Sequence, residues 1–110
     1  MLLLVSIQTF TSLALAFEGA SEQPHFEKSS FKVKQRIFAT LDTKNKKAVV
    51  RLSETDQSVF CAFDTSIIFP VDGTWGKQGW TTIDLTKIPK AMLQDALSTA
   101  YRHVATNRKK

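Results

Sequence analysis

The spacing of apolar residues near the start of the chain predicts an amphipathic helix. One apolar face repeats at steps of three and four residues: Ile7, Phe10, Ala14 and Phe17. Ser6 can accept a hydrogen bond from a first-turn amide, as residues that cap the start of a helix do. Gly19 suits the left-handed turn that ends a helix. We therefore expect a first helix that begins at Ser6 and ends before Gly19.

The same segment also has two features of a secretory signal peptide. Leu2–Val5 is an apolar run, and Ala14-Leu15-Ala16 is a small-x-small cleavage sequence. However, no Lys or Arg precedes Lys28, and polar residues interrupt the apolar run from Ser6 onward. A signal peptide needs a positively charged start and an unbroken apolar centre. We therefore favour a helix of a cytoplasmic domain, with no membrane span, because a span needs about 20 apolar residues.

Alternation of apolar and polar residues predicts the first strand of a sheet. In Phe31-Lys32-Val33-Lys34 the two apolar side chains would face the core and both lysines the solvent. Gln35-Arg36 is expected to form the turn that follows. The preceding segment, Ser21–Ser30, is polar and contains Pro24, which predicts a loop or a short edge strand.

Two further apolar runs rich in β-forming residues follow, Ile37–Leu41 and Ala48–Leu52. The polar segment Asp42–Lys47 separates them, with Asn45 available for a left-handed backbone position. Three strands joined by two short turns predict an antiparallel meander.

Two more helices are predicted in the second half of the chain. Ser53 is the expected cap of the second helix, and its apolar stripe is Val59, Phe60 and Phe63. Pro89 suits the first turn of the third helix. The third helix has the clearest stripe in the chain: Leu93, Leu97, Ala100, Tyr101 and Val104.

Two strands are predicted between these helices, Ile67–Pro70 and Trp80–Leu85, joined by a glycine-rich connection around Trp75. The resulting order is α-β-β-β-α-β-β-α. It predicts an α+β domain of two layers, in which helices cover one face of an antiparallel sheet.

Composition limits the chain to one ordinary globular domain. A chain of 110 residues with 43% hydrophobic and 23% charged residues fits a single domain over residues 1–110. The single cysteine, Cys61, excludes an intrachain disulfide and agrees with a reducing cytoplasm. His25 and His103 have no metal-ligand spacing with it. Because no catalytic or phosphate-cradling motif is present either, we predict no enzyme activity, no metal and no cofactor.

Four stretches occur together in an order and at separations that resemble one protein family. They are SSFKVKQRIFATL (29–41), VRLSETDQ (50–57), WGKQGWTTIDL (75–85) and AYRHVA (100–105). The chain resembles the MmcQ/YjbR family of small, mostly bacterial proteins from about Ser6 onward. The resemblance implies a fold related to the frataxin-like CyaY arrangement and DNA binding through a double-wing motif.

The chain departs from the family pattern at two places. Family members usually have Gly in the hairpin where this chain has Gln35, so the turn is expected to differ in shape. The acidic stretch that is common before the last helix is replaced by Thr86-Lys87-Ile88-Pro89-Lys90, which makes this corner more basic.

Charge is concentrated in the predicted strands. From Lys28 to Arg51 there are eight Lys or Arg residues and a single acid, Asp42. Alternation predicts that Lys32 and Lys34 share the outer face of one strand. The other candidates are Arg36 in the adjoining turn and Lys44, Lys46 and Lys47 on the next hairpin. A basic β-ribbon can bind duplex DNA through its phosphates, although lysines on a solvated strand also discourage pairing with other chains.

The segment around Trp75 is the second candidate contact. Three glycines, Gly73, Gly76 and Gly79, permit a tight exposed loop that would form the other wing, with Lys77 at its tip. Trp75 could stack on a base or sugar. The alternative is that Trp75 and Trp80 serve core or hinge packing.

These observations predict a small, cytoplasmic, non-enzymatic and monomeric protein that binds the phosphate backbone of duplex DNA with little sequence specificity. The net charge of +5 agrees with an anionic partner. The alternative is a protein-interaction module that uses the open sheet face or the Trp75 loop. The candidate DNA contacts are Lys32, Lys34, Arg36, Lys44, Lys46, Lys47, Lys77 and Trp75.

Overall fold

The computed structural model describes residues 6–106, which form four helices and a six-stranded antiparallel sheet. The helices are α1 (Ile7–Leu15), α2 (Glu54–Phe63), α3 (Thr74–Lys77) and α4 (Lys90–Thr106). The strands are β1 (Ser21–His25), β2 (Lys28–Val33), β3 (Arg36–Asp42), β4 (Lys47–Arg51), β5 (Ile68–Pro70) and β6 (Trp80–Asp84). The apolar run Leu2–Val5, on which the signal-peptide alternative depended, lies outside the described residues.

The strands lie in the order β1-β2-β3-β4-β6-β5. The first four follow one another as a meander, whereas β6 lies between β4 and the shorter β5. The α+β class is confirmed. The expected order of elements lacked β1, which forms the edge strand that was one of two alternatives for Ser21–Ser30, and the short helix α3. Both outer strands contain a proline, Pro24 in β1 and Pro70 in β5, as is typical of sheet edges.

The predicted first helix is confirmed. The Ser6 hydroxyl accepts a hydrogen bond from the backbone N–H of Thr9 at 3.0 Å, and Gly19 has a φ of +78° in the turn that follows the helix. Phe10 and Ala14 are fully buried. Cleavage after Ala16 would therefore remove part of the core of this domain.

The core lies between one face of the sheet and helices α1 and α4. Phe10 of α1 meets Phe31 of β2 edge to face, with their ring centroids 5.6 Å apart. Helix α4 begins after Pro89, whose carbonyl accepts a hydrogen bond from the N–H of Leu93. Four of the five residues predicted for the stripe of α4 are buried, Leu93, Leu97, Ala100 and Val104, and Ala96 is buried with them.

A β-bulge lets β3 present two adjacent side chains to the helices. The register with β2 shifts between Phe31 and Lys32, so that Phe31 is opposite Ala39 and Lys32 opposite Ile37. Phe38 is the extra residue, and both Phe38 and Ala39 are fully buried. The Phe38 ring contacts Tyr101 of α4 at 5.6 Å between centroids. The bulge thus adds a large aromatic residue to the core beneath α4.

The apolar stripe predicted for α2 is wrong. Val59 is 65% exposed and Phe63 is 56% exposed, and none of the residues of α2 is fully buried. Only Phe60 of this set packs against the core, where it is partly buried. The cap by Ser53 is confirmed, since its hydroxyl accepts a hydrogen bond from the N–H of Asp56 at 3.1 Å.

Helix α2 is oriented by a polar residue, and this explains the incorrect stripe. The side-chain amide of Gln57 donates to the carbonyl of Gly76 at 2.9 Å and to the hydroxyl of Thr81 at 3.1 Å. Thr81 is fully buried on β6. Because Gln57 faces the sheet, Phe60 and Cys61, three and four residues later, face it too. Val59 and Phe63 therefore turn outward.

Candidate nucleic-acid interface

The predicted basic residues lie at two opposite ends of the sheet. Strand β3 joins both hairpins and is seven residues long, so the two turns are about 20 Å apart. Lys32, Lys34 and Arg36 belong to the β2–β3 end, and Lys44, Lys46 and Lys47 to the β3–β4 end. The expectation that these side chains share one ribbon surface is therefore wrong.

The hairpin between β2 and β3 turns one residue earlier than predicted. Lys34 and Gln35 form the turn with φ values of +53° and +68°, and Arg36 is already the first residue of β3. Lys34 therefore does not continue the outer face of β2. Its ammonium group instead donates to the carbonyl of Ala105, near the end of α4, at 3.1 Å. A positive charge stabilises the carbonyl end of a helix.

A cavity at the β2–β3 end collects basic side chains from four elements. It has a volume of about 540 Å³. Its lining consists of Lys32, Gln35, Arg36, Ile37, Arg51, Trp80, His103 and Val104. Half of these residues carry a basic side chain and none carries a carboxylate, counted over the described residues. We call this surface the basic end.

Arg51 and Trp80 are directly opposite each other on β4 and β6. The Arg51 guanidinium carbon lies 5.4 Å from the centroid of the Trp80 ring, in the range of a cation–π contact. The Nε atom of Arg51 is buried and has no hydrogen-bond partner among residues 6–106. The arrangement therefore fixes the plane of the guanidinium group and leaves one of its donors without an acceptor.

Lys32 and His103 border the same cavity. The Lys32 ammonium group donates to the side-chain oxygen of Gln23 at 3.1 Å, which is a neutral partner. Burial, followed by the charge of Arg51, lowers the pKa of His103 below its ordinary value, while Asp56 acts in the opposite direction. These surroundings therefore favour the neutral form of His103.

The glycine-rich segment forms the short helix α3 and not an open loop. A side chain at Gly79 would place its Cβ 1.8 Å from the carbonyl oxygen of Leu52, and one at Gly76 would lie 1.9 Å from that of Val71. The segment therefore packs tightly against the ends of the neighbouring strands. Trp75 is 61% exposed, so the alternative that it belongs to the core is wrong.

Trp75 and Lys77 lie at the same end of the sheet as the cavity. The Trp75 ring meets Trp80 edge to face, with 6.3 Å between centroids. Lys77 is exposed on the last turn of α3. The structure thus places five of the candidate residues at the β2–β3 end of the sheet, Lys32, Lys34, Arg36, Trp75 and Lys77, of which Lys32 and Arg36 line the cavity.

The β3–β4 end differs because its lysines have carboxylates among their neighbours. Lys28 is opposite Asp42 in the β2–β3 register. Hydrogen bonds from Asn45 lower the pKa of Asp42, and the charge of Lys28 adds to this. The left-handed position in this turn belongs to Lys46, with a φ of +54°, and not to Asn45 as expected.

A second carboxylate lies beside the first residue of β4 at this end. Lys47 is opposite Asp84 on β6. Burial raises the pKa of Asp84, but hydrogen bonds from Thr86 and the charges of Lys87 and Lys47 lower it overall. The β3–β4 end therefore carries mixed charge, whereas the cavity of the basic end has no carboxylate in its lining.

Two basic residues of the cavity lining were not among the sequence candidates, Arg51 and His103. The run Ala48-Val49-Val50 is apolar throughout and gives no sequence signal for the face on which Arg51 lies; the burial pattern of β4 in the structure shows that Arg51 shares a face with Val49. No signal exists for His103 either, since its place beside Arg51 depends on how α4 lies across the sheet.

These features define a class of protein: a small α+β domain with an open antiparallel sheet and a basic, tryptophan-containing cavity at one end. The YjbR family model matches residues 15–103, so the chain belongs to the YjbR family. This confirms the resemblance found in the sequence.

A solved structure supports the fold assignment. The chain is similar to the crystal structure of Deinococcus radiodurans protein DR2400, whose domain is described as DUF419. The TM-score is 0.80 at 20% sequence identity, over 94% of this chain and 80% of that chain. Among curated proteins, no match was found.

Two other properties concern the described part of the chain. Within residues 6–106, no helix combines the length and apolar character needed to cross a membrane. In the same range, no three His, Cys, Asp or Glu side chains are grouped so that they could hold a metal ion.

Proposed function

We propose that this chain is a small non-enzymatic DNA-binding protein of the cytoplasm, which binds the phosphate backbone as a monomer with little sequence specificity. The observation that supports the proposal is the basic end. Lys32, Arg36, Arg51 and His103 border one cavity without a carboxylate in its lining. Lys and Arg bind phosphates strongly and release condensed counterions, but such contacts carry no sequence information.

Two elements flank the cavity and serve as the contact surfaces of this proposal. One is the β2–β3 hairpin, with Lys32 and Arg36 at its base. The other is α3, which presents Trp75 and Lys77. This assignment replaces the second basic hairpin of the sequence hypothesis, because Asp42 and Asp84 offset the positive charge at that end.

A titration of duplex DNA against ionic strength tests the proposal. We expect a Kd in the micromolar range at low salt and a steep loss of affinity as salt increases. Fluorescence anisotropy with a labelled duplex of about 20 base pairs measures both. Absence of binding at low salt, or affinity that does not respond to salt, would reject the proposal.

Two triple variants with the same change of net charge locate the surface. Lys32→Gln, Arg36→Gln and Lys77→Gln together should reduce the slope of log K against log salt by about 3. The matched control, Lys44→Gln, Lys46→Gln and Lys47→Gln, should change it much less. Thermal unfolding checks that both variants fold. Equal losses in the two variants would show that net charge alone matters and that the basic end is not the site.

A protein-interaction module is the second candidate, and the exposure of Trp75 favours it. Large aromatic residues are enriched at protein interfaces. A pull-down from nuclease-treated extract should then recover one stoichiometric protein, and Trp75→Ala should abolish its recovery. Recovery that disappears on nuclease treatment would support DNA binding instead.

A further inference from the structure

We infer that the cavity of the basic end binds a terminal phosphate monoester, carried either by the 5′ end of a DNA strand or by a free mononucleotide. The DNA-end form of this inference rests on the proposed function and gives it a specific ligand group. Four observations support it: the size of the cavity, its charge, the place of Arg51 beside Trp80 in the lining and the position of Trp75.

The cavity has the size of a small-molecule site. Its volume of about 540 Å³ lies within the ordinary range for pockets that hold small ligands. A terminal nucleotide can enter such a concave space from one side. An internal phosphate diester is attached to a sugar on both sides. It can therefore contact the outer surface of the basic end but is hindered from entering the cavity.

The charge of the lining favours a dianion over a single negative charge. Lys32 and Arg51 border the cavity as cations, and His103 can become a third when an anion arrives nearby. A phosphate monoester carries a charge of about −1.5 to −2 near pH 7 and has three terminal oxygens that accept hydrogen bonds. An internal diester carries only one negative charge and two such oxygens.

Arg51 places a guanidinium group in the lining of the cavity, where a phosphate can meet a positive charge. Stacking on Trp80 holds the guanidinium plane in place. Arginine in a fixed orientation binds phosphate oxygens through two parallel hydrogen bonds.

Trp75 gives the site a surface for the base of the same nucleotide. Its ring is 61% exposed and lies 6.3 Å from the centroid of Trp80, which borders the cavity. Nucleic-acid bases stack on exposed aromatic side chains of this kind. A phosphate at Arg51 and a base near Trp75 would occupy adjacent parts of one site.

Matched pairs of ligands test the inference with the full chain. Isothermal titration calorimetry compares deoxyadenosine 5′-monophosphate with deoxyadenosine, and the same duplex with 5′-phosphate or 5′-hydroxyl ends. We expect each phosphorylated member to bind about tenfold more tightly or better. Arg51→Gln should bring both ratios close to one, while the control Lys46→Gln should keep the wild-type ratios. If Arg51→Gln does not fold, Arg51→Lys and the wild-type comparison take its place.

The outcomes separate this inference from the proposed function. Equal affinity within both pairs overturns the inference and leaves backbone binding intact. A preference for the mononucleotide without any duplex binding overturns the proposed function and supports the free-nucleotide form. A preference for phosphorylated duplex ends supports the DNA-end form. Ratios that Arg51→Gln and Lys46→Gln lower equally overturn the assignment to the cavity.

Discussion

Gly79 occupies a position that no other residue can take without displacing the backbone. Its φ is +101°, its carbonyl accepts a hydrogen bond from Leu52, and a Cβ would lie 1.8 Å from the Leu52 carbonyl oxygen. The residue that follows it is Trp80, which stacks on Arg51. The shape of the basic end therefore depends on glycine at position 79, because a side chain there would displace the backbone next to Trp80.

Replacing Gly79 by Ala should destabilise the protein by about 2–4 kcal/mol, because backbone strain and overlap with Leu52 act together. Gly73→Ala is the control. Gly73 also has a positive φ, +76°, with a ψ of −149° that is essentially restricted to glycine, but nothing lies within 4 Å of the position of an added Cβ, so only backbone strain of about 1–3 kcal/mol applies. Urea unfolding measures both changes. Similar losses in the two variants would contradict the role of the close contact.

His103 should make stability depend on pH near neutrality. Burial and the charge of Arg51 lower its folded-state pKa below the unfolded value of 6.5, against the opposing effect of Asp56. The unfolded chain therefore binds the proton more readily. The stabilisation from neutral His103 is complete above pH 6.5 and is lost as pH falls through the folded-state pKa.

Thermal unfolding between pH 8 and pH 5, taken as about the range over which histidine titrates, measures this dependence. The free energy of unfolding should decrease toward acid in the wild type. His103→Gln should show a weaker decrease, because the contribution of His103 is then absent. Parallel pH profiles for the two proteins would exclude a neutral, partly buried His103.

At the scale of elements, the β2–β3 hairpin carries a conformation that its residues do not favour. Both central residues, Lys34 and Gln35, have positive φ, which is the requirement of a type I′ turn and is best met by glycine or asparagine. The hydrogen bond from Lys34 to Ala105 joins this turn to the end of α4 and helps to hold it. The hairpin is therefore stabilised by tertiary contacts against its local preference.

Replacing Gln35 by Gly should stabilise the protein by about 1 kcal/mol, because the left-handed conformation no longer strains a side chain. Gln78→Gly is the control, since Gln78 has a φ of −90° and gains nothing from the change. Chemical denaturation compares the two variants with the wild type. A loss of stability in Gln35→Gly would mean that the glutamine side chain makes a contribution larger than the strain.

Elements whose signals are local could be predicted from the sequence. The hydroxyl caps at Ser6 and Ser53 and the proline before α4 act within one helical turn, and all three were confirmed. The orientation of α2 could not be predicted in this way. It depends on Gln57, whose partners Gly76 and Thr81 are about twenty residues away in the sequence.

At the scale of the whole molecule, the sequence indicated how many basic residues the strands carry. It did not indicate how these residues are distributed between the two ends of the sheet. Counting from Lys28 to Arg51 showed a cationic segment. The length of β3 and the carboxylates Asp42 and Asp84, which lie across from lysines, then separate a basic end from a mixed one. His103 also lines the basic end, although it belongs to α4 and follows Arg51 by about fifty residues in the sequence. Only the packing of α4 on the sheet brings it there.

The edge-to-face pair of Trp75 and Trp80 has a practical consequence. They are the only two tryptophans of the chain, and both lie at the same end of the sheet. The intrinsic tryptophan fluorescence of the protein therefore reports on that region alone. Quenching or a spectral shift on adding a ligand would register occupancy there directly, with the native protein and without an attached dye.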